Sequence, residues 1–336
     1  TYVNAGAVLP LEGGLALFDA GFYGSGYKGY YPQSTVTAIG RLWHDRVDLA
    51  QARTKIGQLS QEKAKADQRG RRALAEELYA TSGIHLPDSR AALVYSRLAK
   101  RLRALGLRNF KEYVALVRSP EGQEERERLL MALTTNVTRF FREPHHFDHL
   151  IETVLAPRAD KVRAGQPLRI WSSACSTGQE PYSLALAVLS VWPNAHELDI
   201  KILATDIDAN VVRTAKAGVY TSEAIEQIPA NYRNRWMAKD PDSARTWRMG
   251  EEARSLIAFN TLNLIGEWPM KKKLDAIFCR NVVIYFDEPT QAKLWQRFKA
   301  LLAPTGRLYV GHSERVGDAA FESDGQTVYR LAGGQR

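Results

Sequence analysis

Four short segments hold the side chains best suited to chemistry. The first is Ser173-Ala174-Cys175-Ser176-Thr177-Gly178-Gln179-Glu180-Pro181. It reads as a loop of small residues running from a buried strand into a helix, and small residues let a ligand come close to the backbone. It holds one glycine and no G-x-G-x-x-G, so a dinucleotide pyrophosphate is poorly provided for. A carboxylate at the helix start, Glu180, repels phosphate but can accept from an ammonium group. That favours a ligand with an amino group over NAD. Glu180 equally suits a plainer part, complementing the helix dipole. The second segment is Thr205-Asp206-Ile207-Asp208. An acid at the end of a second strand can take both ribose hydroxyls of an adenosine moiety. Asp206 fits that role, while Asp208 fits a helix cap.

The third segment is Cys279-Arg280-Asn281-Val282-Val283-Ile284-Tyr285-Phe286-Asp287. Arg280 and Asn281 directly follow a buried strand and are expected to face the ligand cleft. The segment has no N-P-P-Y or D-P-P-Y, the signature expected of enzymes that methylate base amino groups. Asn263-Leu264 precedes this strand and is placed to meet an adenine. The fourth segment, Thr134 to Phe147, brings together Asn136, Thr138, Arg139 and Arg142, with Phe140 and Phe141 available for packing. A domain hinge with an aromatic anchor is its plainer reading. His145 and His146 are adjacent and lack a second ligand cluster, so they are expected to be surface or packing residues and no metal site is expected.

The elements that must carry these segments follow from pattern. Buried strands are expected at Leu168–Ala174, Ile200–Thr205, Leu274–Cys279 and Arg307–Val310. Helices are expected at Pro181–Val191, with proline in the first turn, at Ala209–Ala217 and at Pro289–Leu302. Alternation of strands and helices with short links implies a parallel, doubly wound sheet. Residues 219–262 break that rhythm and read as an inserted subdomain. Upstream, Leu74 and Leu78 are four apart, and Pro87-Asp88-Ser89 opens a helix that Gly106 closes. On that helix Ala91, Val94, Leu98, Leu102 and Leu105 share one side and Arg90, Arg97, Lys100 and Arg101 the other. Phe110–Val117 and Leu129–Leu133 read as further short helices. From Asp45 the pattern is helical, and Gln61–Arg72 is a charged helix or linker. Residues 1–45, rich in glycine and tyrosine, read as a loop-rich appendage or as short strands with turns.

The 336 residues, 45% of them hydrophobic, imply two or three domains. The net charge of +9 implies an acidic partner. The charge is concentrated: Arg69 to Lys111 holds ten Lys/Arg and three Asp/Glu. Two cysteines without a CxxC make a disulfide framework improbable and fit two small buried side chains in a reducing cytoplasm. No apolar run reaches the ~20 residues of a membrane span, and no signal peptide is expected.

Taken together, LTTNVTRFFREPHHF, WSSACSTGQEPYSLA, LATDIDANVV, FCRNVVIYFD and the GHSE of Gly311 to Glu314 make the chain, from about Leu74 to Leu331, similar to the CheR family of chemotaxis receptor methyltransferases. The resemblance implies an α/β fold, a Rossmann-like class I methyltransferase sheet with a small antiparallel β insertion, preceded by a small all-α domain. It divides the chain into an unassigned extension at 1–70, a helical domain and linker at 71–145, and a methyltransferase domain at 146–336 with its insertion at about 219–262. It implies S-adenosylmethionine as cofactor, held by Asn136, Thr138, Arg142, Glu180, Asp206, Asn263, Leu264, Arg280 and Asn281. Tyr285 is expected near the transferred methyl, with Arg142 steering the acceptor carboxylate. Arg97, Lys100 and Arg101 are expected to dock acidic receptor helices. The implied partner is the cytoplasmic helical region of chemotaxis receptors, met by a monomer that neither enters a membrane nor binds nucleic acid. In some family members the inserted segment grips a receptor tail peptide by strand addition. Met237 to Met249 lacks the glycines expected of those members. RNA methylation is disfavoured by the missing amino-methylation motif, and a non-catalytic scaffold by the intact cofactor positions.

Overall fold

The computed structural model describes residues 4–11, 14–21, 49–86, 91–134, 136–241 and 243–333. They form two units. The first, residues 1–70 with 109–111, contains an antiparallel pair of strands, β1 (Asn4–Leu11) and β2 (Gly14–Gly21), with Asn4 opposite Gly21. Short strands, one of the two expectations, therefore hold for this part of the extension. Residues 22–45 lie outside the described residues. Helix α1 (Leu49–Ser82) runs unbroken through the charged segment Gln61–Arg72, which is thus helix and not linker.

The second unit begins with a helical layer. Besides the end of α1 it holds α2 (Ala91–Ala104), α3 (Phe110–Arg118) and α4 (Gln123–Leu133). The expected helix opening at Pro87-Asp88-Ser89 lies outside the described residues. Leu74 and Leu78 of α1, Val94, Leu98 and Leu102 of α2, and Leu129 and Leu133 of α4 are buried, as the helical spacing requires. Gly106 ends the α2 segment in the left-handed region, φ +67°.

Two of the three basic residues expected on a docking face are turned inward. Arg97 Nη1 donates to the carbonyl oxygens of Leu133 at 3.1 Å and Thr134 at 2.9 Å, at the C-terminal end of α4. Those carbonyls have no partner within their own helix, and a cation suits the negative end of its dipole. Arg101 grips Glu125 through both oxygens, at 3.0 and 2.5 Å, and Tyr113 Oη donates to the same carboxylate at 2.8 Å. Glu125 is buried, so Arg101 neutralises an internal charge. Lys100 alone of the three is exposed.

The rest of the unit is a seven-stranded sheet in the order β11-β12-β10-β9-β3-β4-β8. Its strands are β3 (Leu168–Ser172), β4 (Ile200–Asp206), β8 (Ile257–Thr261), β9 (Leu274–Cys279), β10 (Leu302–Val310), β11 (Phe321–Gly325) and β12 (Val328–Leu331). Neighbours from β8 to β10 are parallel, and β12 pairs antiparallel with both β10 and β11. Every residue of β9 is buried, because a parallel strand covered on both faces has no polar side. Helix α5 (Gln179–Val191) buries most of its length, α6 (Ala209–Ala217) follows β4, and α7 (Glu288–Leu301) precedes β10.

A separate antiparallel sheet, β5 (Val219–Thr221), β7 (Thr246–Met249) and β6 (Met237–Lys239) in that order, is the insertion. It ends before the expected boundary at 262. Residues 257–261 are β8, which pairs with β4 and so belongs to the main sheet. The alternation of that strand, half-buried on an edge, lacks the continuous apolar run that marks β9. Both cysteines are fully buried and unpaired.

Candidate active site

In an open parallel sheet a ligand crevice forms beyond the carboxyl ends of the strands, where the strand order reverses. Here the chain winds outward from β3 through β4 to β8, then returns to place β9 on the other side of β3. The cleft at this point contains about 1110 Å³ of empty space, part of it open to solvent. That is ample for a ligand of nucleoside size. Ser173, Ala174 and Ser176 follow β3, Asp206 ends β4 and Ile207 follows it, Leu262 to Leu264 follow β8, and Arg280 to Val282 follow β9. The segment from Leu133 to Arg142 forms another wall, and Ser82, Ile84 and Leu86 of the helical layer a further one. All ten residues expected at the cofactor or the acceptor line this one cleft, from Asn136, Thr138 and Arg142 through Glu180, Asp206, Asn263 and Leu264 to Arg280, Asn281 and Tyr285.

Their neighbours show what each is held to do. The loop after β3 turns through Ser176, φ +48°, and Gly178, φ +97°. A Cβ on Gly178 would sit 2.8 Å from that of Ala215 and 2.6 Å from the Tyr220 hydroxyl, so only glycine lets α5 start there. The Asp206 carboxylate is 8% exposed and accepts from the amides of Ser176 at 2.8 Å and Asp208 at 3.1 Å. Burial raises its pKa and these amides oppose the rise. Asp206 lines the cleft, and a carboxylate with two amide donors has acceptor capacity left for a diol. Asp208 is the cap its position suggested, accepting from Asn210 N at 2.8 Å at the start of α6. Asn136 donates to Asp208 Oδ2 at 3.2 Å, and its carbonyl accepts from Ser176 Oγ at 3.0 Å. The wall segment is thereby tied to the loops after β3 and β4.

Glu180 does more than complement a helix dipole. It is 8% exposed, accepts from Ser172 Oγ at 2.7 Å and from Arg280 Nη1 at 3.0 Å, and burial pushes its pKa up against the pull of Arg280. Arg280, 6% exposed, also lies 3.3 Å from Glu143 and over the Phe147 ring. Glu143 feels the same burial, but Arg280 and two bonds from His312 outweigh it and hold the carboxyl below its usual range. One buried guanidinium therefore serves two carboxylates, of which Glu180 lines the cleft. His146 is wholly buried against Thr327, and burial, assisted by Arg280, lowers its pKa to about 3. It is a neutral packing residue, the second of the two parts the sequence offered. Among the described residues no cluster of three His, Cys, Asp or Glu is placed to hold a metal.

Arg142 stands at the wall, half-buried, its Nη1 donating to the Val137 carbonyl at 3.2 Å. Asn263 ties the sheet to the helical layer, donating to the Thr81 carbonyl at 2.6 Å. Leu264 is buried and packs its side chain into the wall. Glu143, Glu314 and the wall residues Ser82, Ile84 and Leu86 carry no expectation from the sequence. The only sequence signal for Glu314 was the GHSE motif, and for Glu143 its place in the Thr134–Phe147 segment.

Two family models match in succession. One, described as the CheR methyltransferase all-alpha domain, covers residues 71–134, and the other, the CheR methyltransferase SAM binding domain, covers 136–329. A probable chemotaxis protein methyltransferase of Rhizobium etli is 51% identical over 257 residues, 75% of this chain and 96% of that protein. Chemotaxis protein methyltransferase 2 of Pseudomonas aeruginosa is 45% identical over 262 residues, 76% of this chain and 91% of its own. The chemotaxis protein methyltransferase of Escherichia coli is 38% identical over 265 residues, 78% of this chain and 90% of its own.

Proposed function

This chain belongs to the CheR methyltransferase family, and we propose that it transfers methyl groups from S-adenosylmethionine to glutamate side chains in the cytoplasmic helical region of chemotaxis receptors. The observation that carries this reading is the single cleft that gathers an adenosine-compatible acid, Asp206, with an arginine at its wall, Arg142.

S-adenosylmethionine, when bound, supplies an electrophilic methyl on its sulfonium and is left as S-adenosylhomocysteine. Asp206 is proposed to take the ribose hydroxyls, Asn263 and Leu264 the adenine, and Asn136, Thr138, Glu180, Arg280 and Asn281 the remaining contacts. The donor set fits: Glu180 can accept from an ammonium, and a guanidinium beside it balances a carboxylate. An acceptor glutamate, with an ordinary pKa of about 4.3, is already ionised at neutral pH, so no general base is required. Arg142 holds that carboxylate through its planar fork, with Tyr285 beside it. The task left to the protein is alignment and exclusion of water.

For docking, the proposal keeps Lys100 of the three expected residues and adds the exposed Arg103, also on α2. Lys100→Glu is expected to raise the acceptor KM severalfold while unfolding stays at its normal temperature. Arg101→Ala is expected to lower stability by about 1–3 kcal/mol, because Glu125 is left buried without its cation. Thermal unfolding and methylation kinetics on both variants separate the two roles.

A monomer acting in the cytoplasm completes the proposal, and sedimentation velocity checks the former. Among the described residues no helix is long and apolar enough to cross a membrane. The deciding experiment uses methyl-labelled cofactor and membranes holding receptors of the source organism. Base-labile label on receptor protein is the expected result. Absence of label, with calorimetry still showing cofactor binding, would turn the assignment to another acceptor.

A further inference from the structure

The chain leaves β9 by an abrupt turn. Asn281 sits in the left-handed region at φ +59°, which few residues other than glycine adopt, and a short 3₁₀ turn, Val283–Tyr285, follows. Four successive amides, from Asn281 to Ile284, point the same way. In such a turn converging N–H groups form a nest for an anion. The anion here is the protein's own. Glu314, 3% exposed, accepts from Asn281 N at 2.8 Å and Gly311 N at 2.6 Å on one oxygen. Its other oxygen accepts from Val282 N at 2.9 Å, Val283 N at 2.8 Å and Ile284 N at 3.3 Å. Glu314 itself follows β10, so one carboxylate joins the carboxyl ends of two adjacent strands. The approach is tight: a Cβ on Gly311 would lie 2.4 Å from Asn281 Nδ2 and 2.9 Å from Glu314 Oε2. That explains a glycine three residues before the glutamate in GHSE.

We propose that Glu314 is a positioning residue for the cofactor site, its carboxylate fixing the turn that presents Arg280, Asn281 and Tyr285 to the cleft. It lies outside the cleft lining and acts only through that turn. A carboxylate is needed because five donors converge on two oxygens. A glutamine keeps the size but offers one acceptor oxygen and turns an NH₂ toward amides that need acceptors. The inference rests on the cofactor assignment and not on the identity of the acceptor.

The test compares Glu314→Gln and Glu314→Asp with the unsubstituted chain. Three quantities are followed: the calorimetric Kd for S-adenosylmethionine, hydrogen exchange at amides 281–284, and the unfolding temperature. In folded Glu314→Gln we expect Kd to rise by more than about tenfold, since several charge-assisted bonds are lost. Exchange at 281–284 should quicken while the amides of β3 and β4 keep their protection. Glu314→Asp retains the charge but withdraws it by one methylene, and should fall between the two. A folded Glu314→Gln protein with unchanged Kd and unchanged protection at 281–284 would overturn the proposal. If Glu314→Gln does not fold, the aspartate variant decides on the same two readouts, and normal values there overturn it equally.

Discussion

Replacing Arg142 by alanine is expected to lower kcat/KM for receptor methylation by at least about a hundredfold, the penalty for a reacting group misplaced by an ångström or so. The side chain stands at the cleft wall, and its Nη1 donates to the Val137 carbonyl, one bond among the described residues. That arrangement leaves the rest of its fork available to a carboxylate. The loss should fall mainly on turnover, with a smaller weakening of cofactor affinity. Arg142→Lys should recover little, since an ammonium supplies charge without the planar two-point grip. Near-normal turnover in Arg142→Ala would refute the assigned role.

Arg280→Leu carries the largest expected loss of stability, about 3–5 kcal/mol at pH 7, since it strips the cation from a buried ionic group. Glu180 and Glu143 would remain as two internal carboxylates without the guanidinium they share, Glu143 still accepting from His312. The deficit should depend on pH in a defined direction. Without Arg280, burial of Glu180 loses the cation that opposes it, so its folded-state pKa moves further above the ordinary value of the unfolded chain. A carboxyl shifted upward in this way destabilises the fold once it ionises, and that penalty fades as pH falls through the folded value. Urea unfolding of the variant and the unsubstituted chain should therefore converge between pH 7 and pH 5. A deficit that stays constant over that range would instead implicate lost packing against Phe147.

The strand ends were the most legible part of this site. Leu274–Cys279 is a short run of buried residues, and its observed span matches the expected one. Whatever polar residues follow such a run must lie at the crevice, so Arg280 and Asn281 could be placed from order alone. The same logic placed Asp206. The orientation of Arg97 and Arg101 could not be read in this way. A helical wheel sets them opposite the apolar stripe, but it knows nothing of the α4 carbonyls or of Glu125, which reach that face from 24 residues or more away. Glu314 was opaque for a related reason. Its meaning lies in five backbone amides, four of them some thirty residues earlier, and amides leave no mark on residue type. The edge strand β8 was absorbed into the insertion because its pattern alternates.

The seam between the two matched families falls between residues 134 and 136, in the midst of the wall that runs from Leu133 to Arg142. The end of α1 contributes Ser82 and accepts a bond from Asn263 at Thr81, and Ile84 follows just beyond it. A chimera built by exchanging modules at that seam would therefore keep the ten expected site residues, Asn136 to Tyr285, from one parent and take part of the cleft wall, Ser82, Ile84, Leu86, Leu133 and Thr134, from the other. Exchanging the helical layer is therefore expected to alter cofactor residence time, because the layer that would be traded for its outer surface also supplies part of the cleft's inner wall.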